Sequence, residues 1–262
     1  MIIGFSHFTI SSRNLKASIE RLNRLGYEIL FKDTAVENSI HKKPYLSKHH
    51  PKHDLVFMTC RDAASVELID HHTHSSAQQS NILLICRGTA PLDDWVKIDR
   101  NEMNISKKGA FDFAKTYGQQ LCVFYDPVLD LQFAYIEPFE NEPLGFISAI
   151  IFTNDIQNAE DKLQKLRFSE GKYPGLWFLP APFNSMSISL TLTENKFTDT
   201  LRPCSYLDAP GCCSLAFLTR DISANYGIEQ RTPEVNLDVN NSDLTIKFLI
   251  SSELPIIEVI KK

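Results

Sequence analysis

No histidine follows residue 74, no CxxC pair occurs, and no apolar run reaches the ~18 residues that a membrane helix needs. Each absence removes a class of reading. Without a spanning run, no membrane partner is expected. The six cysteines, Cys60, Cys86, Cys122, Cys204, Cys212 and Cys213, are scattered, mostly through apolar runs such as "QLCVFYD". They are expected as buried free thiols, not as a disulfide framework. The formal charge is -5, so there is no basic excess to neutralise phosphates, and nucleic acid is not the expected partner. The opening stretch "MIIGFSHFTISSRN" has neither a charged n-region nor a cleavage site, so a cytoplasmic location is expected.

What is present is a core-forming chain of 262 residues, 43% hydrophobic, with all its histidines at one end. Six of the eight lie in two clusters, "SKHHPKHD" and "IDHHTHSS". Their spacing fits no standard metal motif, and they read as solvated polar loops. His7 is different, because it interrupts the apolar run "GFSHFTI".

The chain also repeats itself. "GFSHFTISSRNL" aligns without a gap on "GFISAIIFTNDI" and, more loosely, on "GCCSLAFLTRDI". "SNILLICRGTAPL" is the weakest copy. Leu15, Ile19 and Leu22 predict one apolar helix face, and Ile156, Ala159, Leu163 and Leu166 another. Asn14 and Asn154 or Asp155 are the expected N-caps. Each unit closes with two strand-like runs: "DLVFMTC" and "ASVELIDHH", "QLCVFYDP" and "LQFAYIEP", "GLWFLPAP" and "SMSISLTLTE", "LTIKFLI" and "PIIEVIKK". The fold class expected is therefore α+β, four βαβββ units forming two half-barrel cups with helices outside. The units run near 1–78 and 79–142 in the N-terminal half and 143–207 and 208–262 in the C-terminal half. "EPFENEPLG" is the expected junction, and the helix of unit four is expected to be short.

In "SHFTISSRNLKASIERLNRLGYEI" and "VELID" the chain resembles the vicinal oxygen chelate superfamily. That group includes glyoxalase I, bleomycin- and fosfomycin-resistance proteins, methylmalonyl-CoA epimerase and extradiol dioxygenases. The resemblance implies a metal-binding histidine on the first strand of a unit and a carboxylate on its last. Here those residues are His7 and Glu67. Strand alternation puts Phe5, His7 and Thr9 on the cup face of the first strand, and Ser65, Glu67 and Ile69 on that of the last. Carried through the repeat, the His7 position becomes Leu84, Ser148 and Ser214, and the Glu67 position becomes Ala134, Ser189 and Glu258. Pairing unit one with unit two leaves neither cup with three ligands. Pairing unit one with unit four gathers His7, Glu67 and Glu258, beside Ser214 where a second histidine is usual. Of the strand-face neighbours Cys212 and Ser214, the cysteine is expected to fill core along with Cys213.

The resemblance implies a divalent ion, Zn, Ni, Mn or Fe, held by His7, Glu67 and Glu258, with Glu258 as third ligand or catalytic base. It implies a small-molecule substrate and lyase or isomerase chemistry, with dioxygenase chemistry second because only one histidine is placed. A non-catalytic, ligand-sequestering protein of the bleomycin-resistance type is the alternative. The aromatic loop "YPGLWFLPAPF" would cover a pocket or form an interface, such as that of a homodimer.

Overall fold

The computed structural model describes residues 2–61, 63–73, 81–88, 91–98, 122–137, 145–172, 175–179, 188–194, 206–228, 230–240 and 242–261. His74, Cys204, most of the expected junction and residues 173–174 and 180–183 of the aromatic loop lie outside them.

Unit one supplies β1 (Ile2–Ser11), helix α1 (Leu15–Arg24), β2 (Glu28–Glu37), β3 (Lys52–Cys60) and β4 (Ala63–Asp70). Unit two supplies β5 (Ile82–Arg87), β6 (Val96–Ile98), β7 (Cys122–Asp126) and β8 (Leu131–Ile136). Unit three follows with β9 (Gly145–Thr153), α2 (Ile156–Lys165), β10 (Ser169–Glu170), β11 (Leu176–Leu179) and β12 (Ile188–Glu194). The last unit has β13 (Gly211–Thr219), β14 (Gln230–Arg231), β15 (Val235–Val239), β16 (Ser242–Ile250) and β17 (Ile256–Lys261).

The helices form where their apolar faces and caps say they should. The Asn14 side chain accepts a hydrogen bond from the Ala17 amide, and that of Asp155 from the Asn158 amide. Leu22, Ala159, Leu163 and Leu166 are buried, with Leu15 and Ile19 packed against the same core. In unit four the expected short helix is absent. Residues 220–228 form turns in its place, closed by Asp221 accepting from the Ser223 amide and hydroxyl. The sequence "RDISANYG" offers too few residues before Gly227 to nucleate a stable helix. The aromatic stretch is in part a strand, since Leu176–Leu179 pairs with β10 and β12 and buries Trp177.

Two sheets result. One has the order β14-β16-β17-β13-β1-β4-β3-β2, with β15 added on β16. The other runs β10-β11-β12-β9-β5-β8-β7-β6. Each is centred on an antiparallel pair of first strands, β1 with β13 and β5 with β9. Unit one thus shares a sheet with unit four, and unit two with unit three.

A single apolar core joins the sheets, running from Phe8, Val66 and Leu68 to Leu84, Ile150 and Leu190. Polar ties add precision to it. Tyr27 donates its hydroxyl proton to the Ala64 carbonyl (3.0 Å) and accepts from the Phe146 amide (2.8 Å), linking unit one to unit three. Gly145, at φ +99°, passes so close that a Cβ there would lie 2.9 Å from Tyr27. Arg21, buried on α1, pairs with Asp94 and lies 3.4 Å from Asp126, tying unit one to unit two.

Candidate metal centre

The sheet built from units one and four curls around a cavity of about 170 Å³. Strand register explains which side chains enter it. Thr9 stands opposite Glu67, and Ala216 opposite Glu258, across equivalent parallel pairs. His7 opposite Ser65 likewise corresponds to Ser214 opposite Ile256. The internal repeat is thereby a local twofold, with His7 and Ser214 at matching places and Glu67 and Glu258 at matching places.

Strict alternation fails at three points of the β1–β13 ladder, and two of them lie in the cavity wall. In the β1–β13 ladder Phe5 pairs with Phe217 and His7 with Ala216, so Ser6 is an extra residue. Cys213 is extra in the same way, between Cys212 and Ser214. These matching β-bulges turn two consecutive residues toward the cavity on each strand, Ser6 with His7 and Cys213 with Ser214. They also correct the sequence reading. Phe5 leaves the cup face and joins the core against Phe8 and Phe217, and Cys213, not Cys212, lines the cavity.

His7, Glu67 and Glu258 meet in this cavity. Each offers one donor atom, and the three atoms lie within 4.8 Å of one another. Among the described residues no other three histidine, cysteine or acidic side chains do so. His7 Nδ1 and the Ser6 hydroxyl are 2.9 Å apart in a hydrogen bond. That contact orients the ring, and its edge meets the Phe57 ring at 5.1 Å. Nε2 then points to the cluster, 3.4 Å from a Glu67 oxygen, buried and with no hydrogen-bond partner. The Thr9 and Ser214 hydroxyls are buried in the same wall, also unpartnered.

The electrostatics reflect three ionisable groups held out of water. Burial lowers the His7 pKa, but attraction to Glu67 and Glu258 outweighs it, and the net shift is upward. Burial, then repulsion from Glu67, pushes Glu258 up to about 7, against the opposing pull of His7 and Lys42. One nitrogen and two carboxylate oxygens suit Zn²⁺, Ni²⁺, Mn²⁺ or Fe²⁺. Donors held ~2.1 Å from such an ion stand about 3–4 Å apart, within reach of the observed cluster.

Among the described residues the other sheet offers no comparable set. Its corresponding residues, Leu84, Ala134, Ser148 and Ser189, are buried, and the two serine hydroxyls bond each other at 2.8 Å.

Three further cavity residues escaped the sequence reading: Lys42, His53 and His71. The histidine clusters were expected to be solvated loops. His41, His50 and His72 are indeed exposed, but His53 and His71 are buried. The signal was there in the alternation, since His53, Leu55 and Phe57 share a face, as do Glu67, Ile69 and His71. Lys42 sits in a 3-10 turn, Ile40–Tyr45, that no repeat describes.

No protein-family model and no curated relative matches this sequence. Solved structures do match its shape. Glyoxalase I from Zea mays superposes with a TM-score of 0.55 at 10% identity, covering 98% of this chain and 92% of that one. A mutant of the same maize enzyme gives 0.57 at 12% identity, over the same shares. A protein from Bacillus subtilis subsp. subtilis str. 168, described as a candidate dioxygenase, gives 0.55 at 13%, covering 99% and 85%. This chain therefore has the fold of the vicinal oxygen chelate superfamily, with its repeated units wound into two cups.

Proposed function

We propose that this protein is a divalent-metal-dependent, glyoxalase-like enzyme acting on a small oxygenated metabolite, of lyase or isomerase type. The observation that carries the reading is the convergence of His7, Glu67 and Glu258 in one buried cavity, with His7 Nε2 turned into it 3.4 Å from a Glu67 oxygen. His7 and Glu67 would hold the ion, with Glu258 completing the donor set. When bound, the metal supplies Lewis-acid stabilisation of negative charge developing on a substrate oxygen.

The chain's own residues do the rest. Ser6 fixes the His7 ring through Nδ1, leaving Nε2 free to ligate. If Glu258 stands beside the ion instead of on it, its buried carboxylate is placed to take a proton from the carbon beside a carbonyl and return it to the neighbouring carbon. The apolar walls, among them Phe57 and Phe248, exclude water from that transfer. A single histidine beside two carboxylates departs from the two-histidine, one-carboxylate iron site of oxygenases, which favours proton transfer over dioxygenation.

Elemental analysis of protein purified without a histidine tag tests this. About one equivalent of a divalent ion is expected, lost in His7→Ala and Glu67→Ala. Wild-type protein that can be loaded with none of Zn²⁺, Ni²⁺, Mn²⁺ or Fe²⁺ would overturn the enzyme reading and leave the sequestering-protein alternative.

A further inference from the structure

The same cavity holds a second cluster whose chemistry is opposite to that of the carboxylates. Lys42 is 4% exposed, His53 1% and His71 2%. They arrive from three separate elements: the 3-10 turn, the start of β3, and the residue after β4. The turn carrying Lys42 is tied in place. The Lys42 amide donates to the Ser39 carbonyl (2.9 Å), and the Leu207 amide donates to the Tyr45 carbonyl (2.6 Å). Just before the turn, the Asn38 side chain donates to the His50 carbonyl (2.9 Å).

Among the described residues these three polar groups have few polar partners. The Lys42 ammonium lies 5.4 Å from the centroid of the Phe248 ring, and among the described residues no carboxylate is in salt-bridge range of it. His53 Nδ1 and both ring nitrogens of His71 are buried without a hydrogen bond, although the Leu207 backbone approaches His71. The two rings face one another at 5.7 Å. Burying an ammonium and two imidazoles unpaired is costly. A site that keeps them so is organised for something that enters.

We infer that Lys42, His53 and His71 form an anion-recognition pole, which binds a carboxylate on the substrate while its other oxygens face His7, Glu67 and Glu258. The pole accounts for one end of the substrate, and the metal reading above accounts for the other.

The charge balance selects the anion. Among the described residues lining the cavity, Lys42 is the one lysine or arginine. Burial and the neighbouring Lys42 lower the pKa values of His53 and His71 to about 2 and about 3, so both rings are neutral donors. One positive charge with two neutral N–H groups matches a monoanion that accepts several hydrogen bonds, which describes a carboxylate better than a phosphate dianion. Lys42 attracts Glu258 across the cavity but forms no salt bridge with a described carboxylate, which leaves its ammonium open to an entering anion. Size restricts the ligand further, since a cavity of about 170 Å³ is of the order that holds a benzene-sized molecule. The substrate class is thus a small carboxylic acid with an apolar middle and further oxygens at its far end.

Calorimetric titration with benzoate and its neutral near-isostere benzamide tests the pole, first on chelator-stripped and then on Mn²⁺-loaded protein. Benzoate is expected to bind about tenfold or more tightly than benzamide in both states. Lys42→Met should bring the two within about twofold, and Lys42→Gln repeats the test if the methionine variant does not fold. His53→Phe and His71→Phe should each reduce the preference by about threefold. No preference for benzoate in the wild type, or a preference that survives both lysine variants, would overturn the pole. The metal-free arm keeps the two readings apart: a protein that takes up no metal but prefers benzoate through Lys42 has the pole without the centre. One that loads Mn²⁺ with no benzoate preference has the centre without the pole.

Discussion

His7 is the residue on which the site turns, and its surroundings assign distinct tasks to its two nitrogens. Nδ1 is engaged by Ser6, and Nε2 is buried among carboxylates. If that contact positions the ligand, Ser6→Ala should weaken metal binding about tenfold while leaving the fold intact, read by titration of stripped protein with Mn²⁺. A second prediction concerns His53 and His71, whose pKa values are depressed to about 2 and about 3 from 6.5. As the pH falls below 6.5, the unfolded chain takes up protons that the folded chain refuses, so stability is lost. The loss grows until the folded-state pKa values are reached, and at pH 5 it amounts to about 2 kcal/mol for each ring. Thermal melts at pH 7 and pH 5 should show this drop, and the double variant His53→Phe/His71→Phe should flatten it. An unchanged drop in that variant would assign the acid lability elsewhere.

At the scale of elements, the strands were legible because buried-strand alternation and the repeat reinforce each other. "GFSHFTI" and "VELID" place His7 and Glu67 on one face by period two alone, and aligning "PIIEVIKK" with "VELID" places Glu258. Alternation could not reveal the bulges at Ser6 and Cys213, because an inserted residue leaves no compositional mark in an apolar strand. Period two alone therefore puts Phe5 on the wrong face and assigns Cys213 to the core, not to the cavity wall. Lys42 was beyond reach for a different reason: its place depends on how the turn folds back over β16, which no local pattern encodes. The junctions between elements also make a testable claim. Tyr27→Phe removes the hydroxyl that links Ala64 to Phe146 across the two sheets. About 2 kcal/mol of stability should go with it, measurable by urea unfolding. A loss near zero would mean that solvent or a neighbouring group replaces both bonds.

For the whole molecule, the decisive feature is which units share a cup. Seating the first unit beside the last carries Glu258, near the end of the chain, to the side of His7, near its start. The middle units form a sheet with no ligand set among its described residues, and it serves as packing for the first through the common core. The sequence pointed to this arrangement through its ligands alone, since no loop length or linker distinguishes it from sequential pairing. It follows that a glutamate 191 positions along the chain from Glu67 should matter to the same metal ion. The most direct test is Mn²⁺ titration, followed by electron paramagnetic resonance, of stripped wild-type protein and of Glu258→Gln. One ion per chain is expected in the wild type, bound at least about a hundredfold more weakly in the variant, because loss of an outer-shell partner alone costs 10–100-fold. Equal affinity in the two proteins would contradict a centre shared between the first and last units.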